Sequence, residues 1–376
     1  MERRYMPTVV DLFAGAGGLS LGAARAGFTV RGSVELDPFA IEVHRHNFPG
    51  TVHLAKDVAR LTGPQLLELC GLRPGQLDGL IGGPPCQGFS AIGKRDVDDS
   101  RNDLFGHFFR LVSSTRPAFF VAENVPGILD SRYAHIISAA FARLRGRYRL
   151  LEPITVQANK YGAPTTRTRV FFIGYRSECF TQELSESDFL PADGQLIVPV
   201  SHALRGLPIQ VDPAWQSAEA GWRPIGPIEH DWFYDRVTNA IPVGLGDPIS
   251  IERYVEKSQV SGCMGTFHTA AVAERFRNTP QGAMDSISKA PRLHPERFCP
   301  TLRAGTSKER GSYQSVRPIH HIEPRVITPR EAARLQGFPD WFVFHETKWH
   351  SFRQIGNSVS PIVADHILTK ICDRLR

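Results

Sequence analysis

Cys86 stands in the run Gly82-Gly83-Pro84-Pro85-Cys86-Gln87-Gly88-Phe89-Ser90, directly after the apolar stretch Leu77 to Ile81. A lone cysteine is most often a small packing residue. One set between a rigid Pro-Pro pair and a glycine-containing loop is badly placed for packing and well placed to present a thiol, whose thiolate is a strong nucleophile. Glu123 follows a second apolar stretch in Ala122-Glu123-Asn124-Val125, and Arg167 and Arg169 flank Thr168 just before a third. Taken singly, such a glutamate is usually a solvated carboxylate and such arginines are surface charge. If the apolar stretches are strands of one sheet, the four side chains converge on one rim, where open α/β folds keep their active sites.

A second chemical signal lies near the start of the chain. Asp11-Leu12-Phe13-Ala14-Gly15-Ala16-Gly17-Gly18 falls where a strand turns into a helix, and its glycines allow a tight bend and close approach to a ligand. Ser20 occupies the place of the third glycine in the dinucleotide fingerprint, so a pyrophosphate fits less well than a nucleoside without one. Glu35, at the end of the next strand, is placed to accept hydrogen bonds from a ribose diol.

The elements that must position these groups read as alternating strands and helices. Thr8 to Leu12 is β-rich, Leu19 to Ala26 helix-like and Val30 to Glu35 β-rich again, a βαβ opening. Further strands are predicted at Leu77 to Ile81, Ala118 to Ala122, Ile154 to Ala158 and Val170 to Gly174, giving an α/β fold with a mostly parallel sheet. From Thr181 to Ile327 the alternation fades, no long periodic helix appears, and a second, irregular domain is expected. At Thr328-Pro329-Arg330-Glu331 an N-cap, a proline at the first helical position and a capping-box glutamate announce a helix. Ser360-Pro361 repeats the device before the apolar stripe Val363, Ile367 and Ile371. The expected division is 1–180 with 328–376 for the chemistry and 181–327 for the second domain.

Of the 376 residues, 41% are hydrophobic and 22% charged, which is the composition of a globular protein and not of a disordered or fibrous one. The net charge of +6 permits a polyanionic partner without demanding one. That charge is unevenly spread in the middle region: residues 181–247 carry −7 and residues 248–327 carry +5. The six cysteines are scattered without a CxxC pair, which disfavours a zinc site or a disulfide framework and points to a reduced, cytoplasmic protein. No stretch has the length and apolarity of a membrane span or a signal peptide. A monomer is expected.

The chain resembles the DNA (cytosine-5)-methyltransferase family. The resemblance runs in order through Asp11 to Gly18, Glu35-Leu36-Asp37, Gly83 to Ser90, Glu123-Asn124-Val125, Arg167-Thr168-Arg169 and Gly356-Asn357-Ser358-Val359. It implies a Rossmann-like methyltransferase fold, S-adenosyl-L-methionine as cofactor and double-stranded DNA as substrate, with a smaller target-recognition domain. It implies catalytic roles for Cys86 as nucleophile, Glu123 as the residue that holds N3 of a flipped cytosine, and Arg167 and Arg169. The implied cofactor residues are Asp11, Phe13, Gly15, Gly17, Leu19, Glu35, Leu36, Asp57, Pro84, Leu104, Asn357 and Ser358. Gln87 and Ser90 would meet DNA, and the segment through Ser90 to about Arg101 would be a mobile loop closing on it. Where the family carries Gln two residues before the first Arg of Arg-x-Arg, this chain has Thr165.

Such a set suits the chemistry. Cytosine C5 is too poor a nucleophile to take a methyl group directly, so a thiolate must first add at C6 and a proton donor at N3 must drain the charge. The base must leave the stack, which costs a few kcal/mol. An RNA cytosine-5 methyltransferase would share these motifs, and Cys179-Phe180-Thr181 echoes a tripeptide of that tRNA branch, but the long middle region suits sequence-specific DNA reading better. A catalytically inactive DNA-binding paralogue would not need Cys86, Glu123, Arg167 and Arg169 together, and a nicotinamide dehydrogenase would have no role for Pro84-Pro85-Cys86. The basic half of the middle region is expected to face DNA through Arg292, Arg297, Arg303, Lys308, Arg310 and Arg317. A partner restriction endonuclease is compatible with such an enzyme, in function and not necessarily in physical contact.

Overall fold

The computed structural model describes residues 6–85, 103–239, 241–304 and 317–376. Strands and helices alternate through the first half: β1 (Thr8–Leu12), α1 (Gly18–Arg25), β2 (Thr29–Glu35), α2 (Pro38–Asn47), β3 (Val52–Ala55), α3 (Gly63–Leu69), β4 (Gly79–Gly82), α4 (Asp103–Thr115), β5 (Phe119–Asn124), α5 (Ala134–Ala142), β6 (Arg149–Leu150), β7 (Ile154–Gln157) and β8 (Thr168–Tyr175). The order across the sheet is β3-β2-β1-β4-β5-β8, with β6 and β7 sharing the outer edge of β8. The first five strands are parallel and β8 runs antiparallel to β5. The expected βαβ opening and parallel sheet are therefore present.

Alternation along the strands explains why both faces are covered. Val9, Phe119 and Val121 point into one apolar cluster, while Val10, Leu12, Phe120 and Ala122 point into the other. A strand buried on both faces reads as a continuous apolar run, which is how Phe119 to Ala122 reads. The second cluster is closed by Phe105, Phe108, Leu66 and Leu144 from the α3, α4 and α5 side.

The middle region does not separate from the sheet at Thr181. Phe189, Val198, Phe233, Tyr234 and Val260 belong to the same core cluster as Val9 and Val121. A distinct small core appears only later, around Phe276, Ala290 and Ile319. Along this stretch lie the short turns α6 (Val200–Ala203) and α7 (Trp232–Tyr234) and the two-stranded pair of β9 (Arg223–Pro224) with β10 (Gln259–Val260). Two helices that periodicity does not announce also occur, α8 (Pro248–Lys257) and α9 (Ala270–Asn278). Each begins at a local cap, Asp247 accepting from the Ser250 amide and Thr269 from the Val272 amide.

The chain then returns to the sheet with α10 (Pro329–Gln336), α11 (Lys348–Asn357) and α12 (Pro361–Cys372). Thr328 caps α10 as expected: its hydroxyl accepts from the Glu331 amide, and Glu331 accepts from the Thr328 amide at 2.7 Å. Ser360 differs from expectation, because its side chain makes no cap bond and proline alone starts α12. α12 packs on α1 where a side chain at Gly22 would sit 2.3 Å from Ala364 Cβ. That close approach carries Ser358 and Val359 to the turn before α1, where a Cβ on Gly18 would lie 2.3 Å from the Val359 carbonyl oxygen.

Candidate active site

Parallel register brings the carboxyl ends of five strands level: Leu12 pairs with Val34 and Gly82, Glu35 with Ala55, and Gly82 with Ala122. The turn after β1, Glu35 at the end of β2, Pro84 after β4 and Glu123 near the end of β5 therefore share one rim. β8 enters the same rim from the opposite direction, with Val170 opposite Asn124. This antiparallel insertion delivers Arg169 beside Glu123.

Arg169 Nε lies 2.6 Å from Glu123 Oε1, and both side chains are largely withdrawn from solvent. A Cβ on Gly83 would come 3.0 Å from Glu123 Oε2. Asn124 Nδ2 donates to the Pro84 carbonyl at 3.4 Å. The segment leading into Cys86 is thus seated against Glu123. Cys86, Gln87 and Ser90, with the stretch to Arg101, lie outside the described residues. Among the described cysteines, burial pushes the thiols of Cys70, Cys263 and Cys299 up to about 11, about 12 and about 12. Those three are packing residues and poor nucleophiles.

Arg167 makes contacts that its place in the Arg-x-Arg motif does not reveal. It is buried, and its guanidinium donates to the carbonyls of Gly356 at 2.8 Å, Asn357 at 3.2 Å and Leu302 at 3.4 Å. These bonds join the start of β8 to the Asn357-Ser358 corner and to the segment before Arg303. The backbone of Arg303 and Ala304 presses on Gly356, where a Cβ would fall 2.8 Å from the Ala304 amide nitrogen. Thr165 is fully buried, its backbone pairs with Cys299, and its hydroxyl has no hydrogen-bond partner.

On the nucleoside side, Phe13, Gly15 and Gly17 all take positive φ, at 59°, 54° and 100°. A non-glycine residue in that region is uncommon and marks a turn held by its surroundings. A Cβ on Gly17 would strike the Phe48 ring at 2.5 Å, whereas one on Gly15 would project into open space. Glu35 Oε2 accepts from the Gly15 amide at 2.9 Å, and Oε1 accepts from the amides of Leu36 and Asp37. Leu36 is 61% exposed beside this turn. Asp57, after β3, accepts from the Ala59 amide at 2.9 Å, and half-buried Leu104 lies in the first turn of α4. Leu19, Pro84 and Ser358 are buried, and Asn357 is exposed next to Ser358.

Asp11 is fully buried, and burial pushes its carboxyl up to about 7, against the pull of a 2.6 Å hydrogen bond from Ser20. In the sequence Ser20 stands only as a missing glycine; in the fold its hydroxyl serves Asp11. His44, 24 residues further on, reaches Ser20 at 3.0 Å. No local spacing could have signalled that contact.

The proposed DNA-facing arginines divide. Arg297 and Arg303 are exposed. Arg292 donates to the carbonyls of Phe276, Arg277 and Thr279 at the end of α9 and to that of Ile322. Arg317 is half-buried with its guanidinium 4.2 Å over the Phe352 ring. Lys308 and Arg310 lie outside the described residues. Among the described residues, no helix is long and apolar enough to cross a membrane.

The chain is similar to known proteins over nearly its whole length. The family model for C-5 cytosine-specific DNA methylase matches residues 7–213 and 232–373. The chain is 38% identical to the type II methyltransferase M.XorII of Xanthomonas oryzae pv. oryzae, over 98% of this chain and 85% of that protein. It is 30% identical to M.DdeI of Desulfomicrobium norvegicum, over 96% and 88%. A solved E. coli structure of a prophage-encoded DNA modification methyltransferase superposes with a TM-score of 0.87 at 48% identity, covering 98% of this chain and 99% of that one. The S. pombe Dnmt2 structure, at 17% identity and a TM-score of 0.62, shares the fold. On the family match across nearly the whole chain, and on relatives of this length and identity, the protein belongs to the C-5 cytosine-specific DNA methylase family and is a methyltransferase enzyme.

Proposed function

We propose that this enzyme transfers a methyl group from S-adenosyl-L-methionine to C5 of a flipped-out cytosine in a specific duplex DNA sequence, through a covalent bond between Cys86 and C6. The observation that carries this reading is the seating of the Gly83-Pro84 segment on Glu123, with Arg169 on the far side of the carboxylate. A base offered to Cys86 then meets Glu123 within the same rim.

The residues around the β1 turn fit the cofactor. Open space in front of Gly15, the exposed Leu36 and the Glu35 carboxylate form a cradle for an adenosine without a pyrophosphate. Phe13, Leu36, Asp57, Pro84 and Leu104 would line it, and Asn357 and Ser358 would close it. When bound, the cofactor supplies the electrophilic methyl group. The chain's own groups do the rest. Cys86 adds to C6, Glu123 holds and protonates N3, and Arg169 keeps the Glu123 carboxylate oriented. Loss of the C5 proton then expels Cys86 and restores the ring.

Residues 181–327 would read the target, with the small core around Phe276 and Ile319 as its self-contained part and Arg297 and Arg303 toward the phosphates. The type II relatives favour a restriction-modification role with a partner endonuclease. Duplex DNA carrying 5-fluorocytosine at the target tests the mechanism, because fluorine blocks the final elimination. The wild type should form a denaturation-resistant adduct when the cofactor is present, and Cys86→Ser should form none while still binding DNA. An adduct with Cys86→Ser, or none with the wild type, refutes the assignment.

A further inference from the structure

Behind the β1 turn, four side chains from four elements form a continuous hydrogen-bonded line. Ser20 Oγ lies 2.6 Å from Asp11 Oδ2, His44 Nε2 3.0 Å from Ser20 Oγ, and His53 Nε2 3.0 Å from His44 Nδ1. Asp11, Ser20 and His44 are buried, whereas His53 on β3 is only half-buried. The line touches the turn itself. His44 stacks on Phe48 with centroids 4.2 Å apart, and Gly17 fits only because it has no Cβ to strike that ring.

With Asp11 ionised, proton counting fixes the direction of every bond. An ionised Asp11 can only accept, so the single Ser20 proton points at it. Ser20 then accepts from His44, which must carry its proton on Nε2. His44 Nδ1 is left as an acceptor, so His53 must donate from its own Nε2. Burial holds both imidazoles below their ordinary range, so each is neutral with one proton to give. A proton placed on Asp11 Oδ2 would reverse all three bonds. The charged groups facing this line are Glu35, which repels Asp11, and Arg45, beside His53. Asp11 Oδ1 has no partner at all.

We propose that Ser20, His44 and His53 are positioning residues that hold Asp11 as a carboxylate beneath the cofactor turn, so that a cationic cofactor is preferred there over a neutral nucleoside. This rests on the reading of the β1 turn as the S-adenosyl-L-methionine site. Two buried or half-buried carboxylates, Asp11 and Glu35, are unfavourable together, and a bound cation relieves both. By linkage, affinity for the cation must rise with pH as Asp11 ionises.

The test uses the full chain without bound ligand. Carbon-13 detection of the Asp11 carboxyl should show a midpoint near neutrality that moves up by about one unit or more in Ser20→Ala and in His44→Phe. Nitrogen-15 detection at pH 8 should find His44 protonated on Nε2. Because the core variants could fail to fold, His53→Ala supplies a third case, in which a smaller upward shift is expected. Calorimetry should then give an approximately tenfold loss of S-adenosyl-L-methionine affinity from pH 8 to pH 6, with neutral 5′-methylthioadenosine unchanged. An Asp11 midpoint unmoved in the folded variants, or His44 protonated on Nδ1 at pH 8, overturns the relay. A pH-independent preference for the cation overturns its link to binding. If the carboxyl shifts as expected but neither nucleoside binds, the relay stands and the cofactor reading fails.

Discussion

Arg169 Nε meets Glu123 Oε1 at 2.6 Å across the junction of β5 and β8, so the arginine of one strand and the carboxylate of its antiparallel neighbour form one buried unit. The pair exists only because β8 runs against β5, which brings the start of one strand to the end of the other.

Removing either partner of a buried pair leaves the other uncompensated, so losses should not add. A double-mutant cycle of Glu123→Gln and Arg169→Ala, read in kcat, should give a coupling of at least about 1 kcal/mol. Titration with S-adenosyl-L-homocysteine should leave Glu123→Gln nearly unchanged, while Glu35→Ala, which releases the Gly15 amide, binds more weakly. Additive kinetic losses would uncouple Arg169 from Glu123, and weaker cofactor binding by Glu123→Gln than by Glu35→Ala would exchange the two carboxylates between base and cofactor.

Arg292 and Arg303 should behave in opposite ways. Arg292→Ala loses hydrogen bonds to four carbonyls and should lower the urea midpoint by an amount worth about 2 kcal/mol, with the salt dependence of DNA binding unchanged. Arg303→Ala should leave stability alone and reduce the slope of log affinity against log salt by about 1. Fluorescence anisotropy across a salt series reads the slope. An altered slope for Arg292→Ala would return that residue to the DNA face.

Thr165 buries a hydroxyl that has no partner, which costs about 1–3 kcal/mol of desolvation. Thr165→Val, of the same shape, should therefore be as stable as the wild type or more stable by about 1 kcal/mol, with methylation intact. Thr165→Gln is too large for a closed site locked to Cys299 and should lose about 1–3 kcal/mol. Denaturant unfolding decides, and a clear loss in Thr165→Val would show that the hydroxyl is used.

The sequence by itself determined everything that depends on local order. Strand β1 falls at Thr8–Leu12 as expected, and β2, β5 and β8 fall within two residues of the expected stretches, because β-branched and aromatic runs bounded by turns declare themselves without help from the rest of the chain. The Thr328 cap is equally local, since its partner Glu331 is three residues away. Ordered motifs carried the family reading in the same way. Tertiary structure alone decided which charged side chains are free to act. Arg167 and Arg292 look like surface charge in sequence, yet each donates to carbonyls that arrive from distant segments, Gly356 and Asn357 for one and Ile322 for the other. Nor could spacing show that side chains such as Phe189, Phe233 and Cys263 join the core of the sheet, or that His44 stands behind Asp11. Hydrophobic burial and hydrogen-bond satisfaction are met by whatever the fold brings near, and that partner has no fixed distance along the chain.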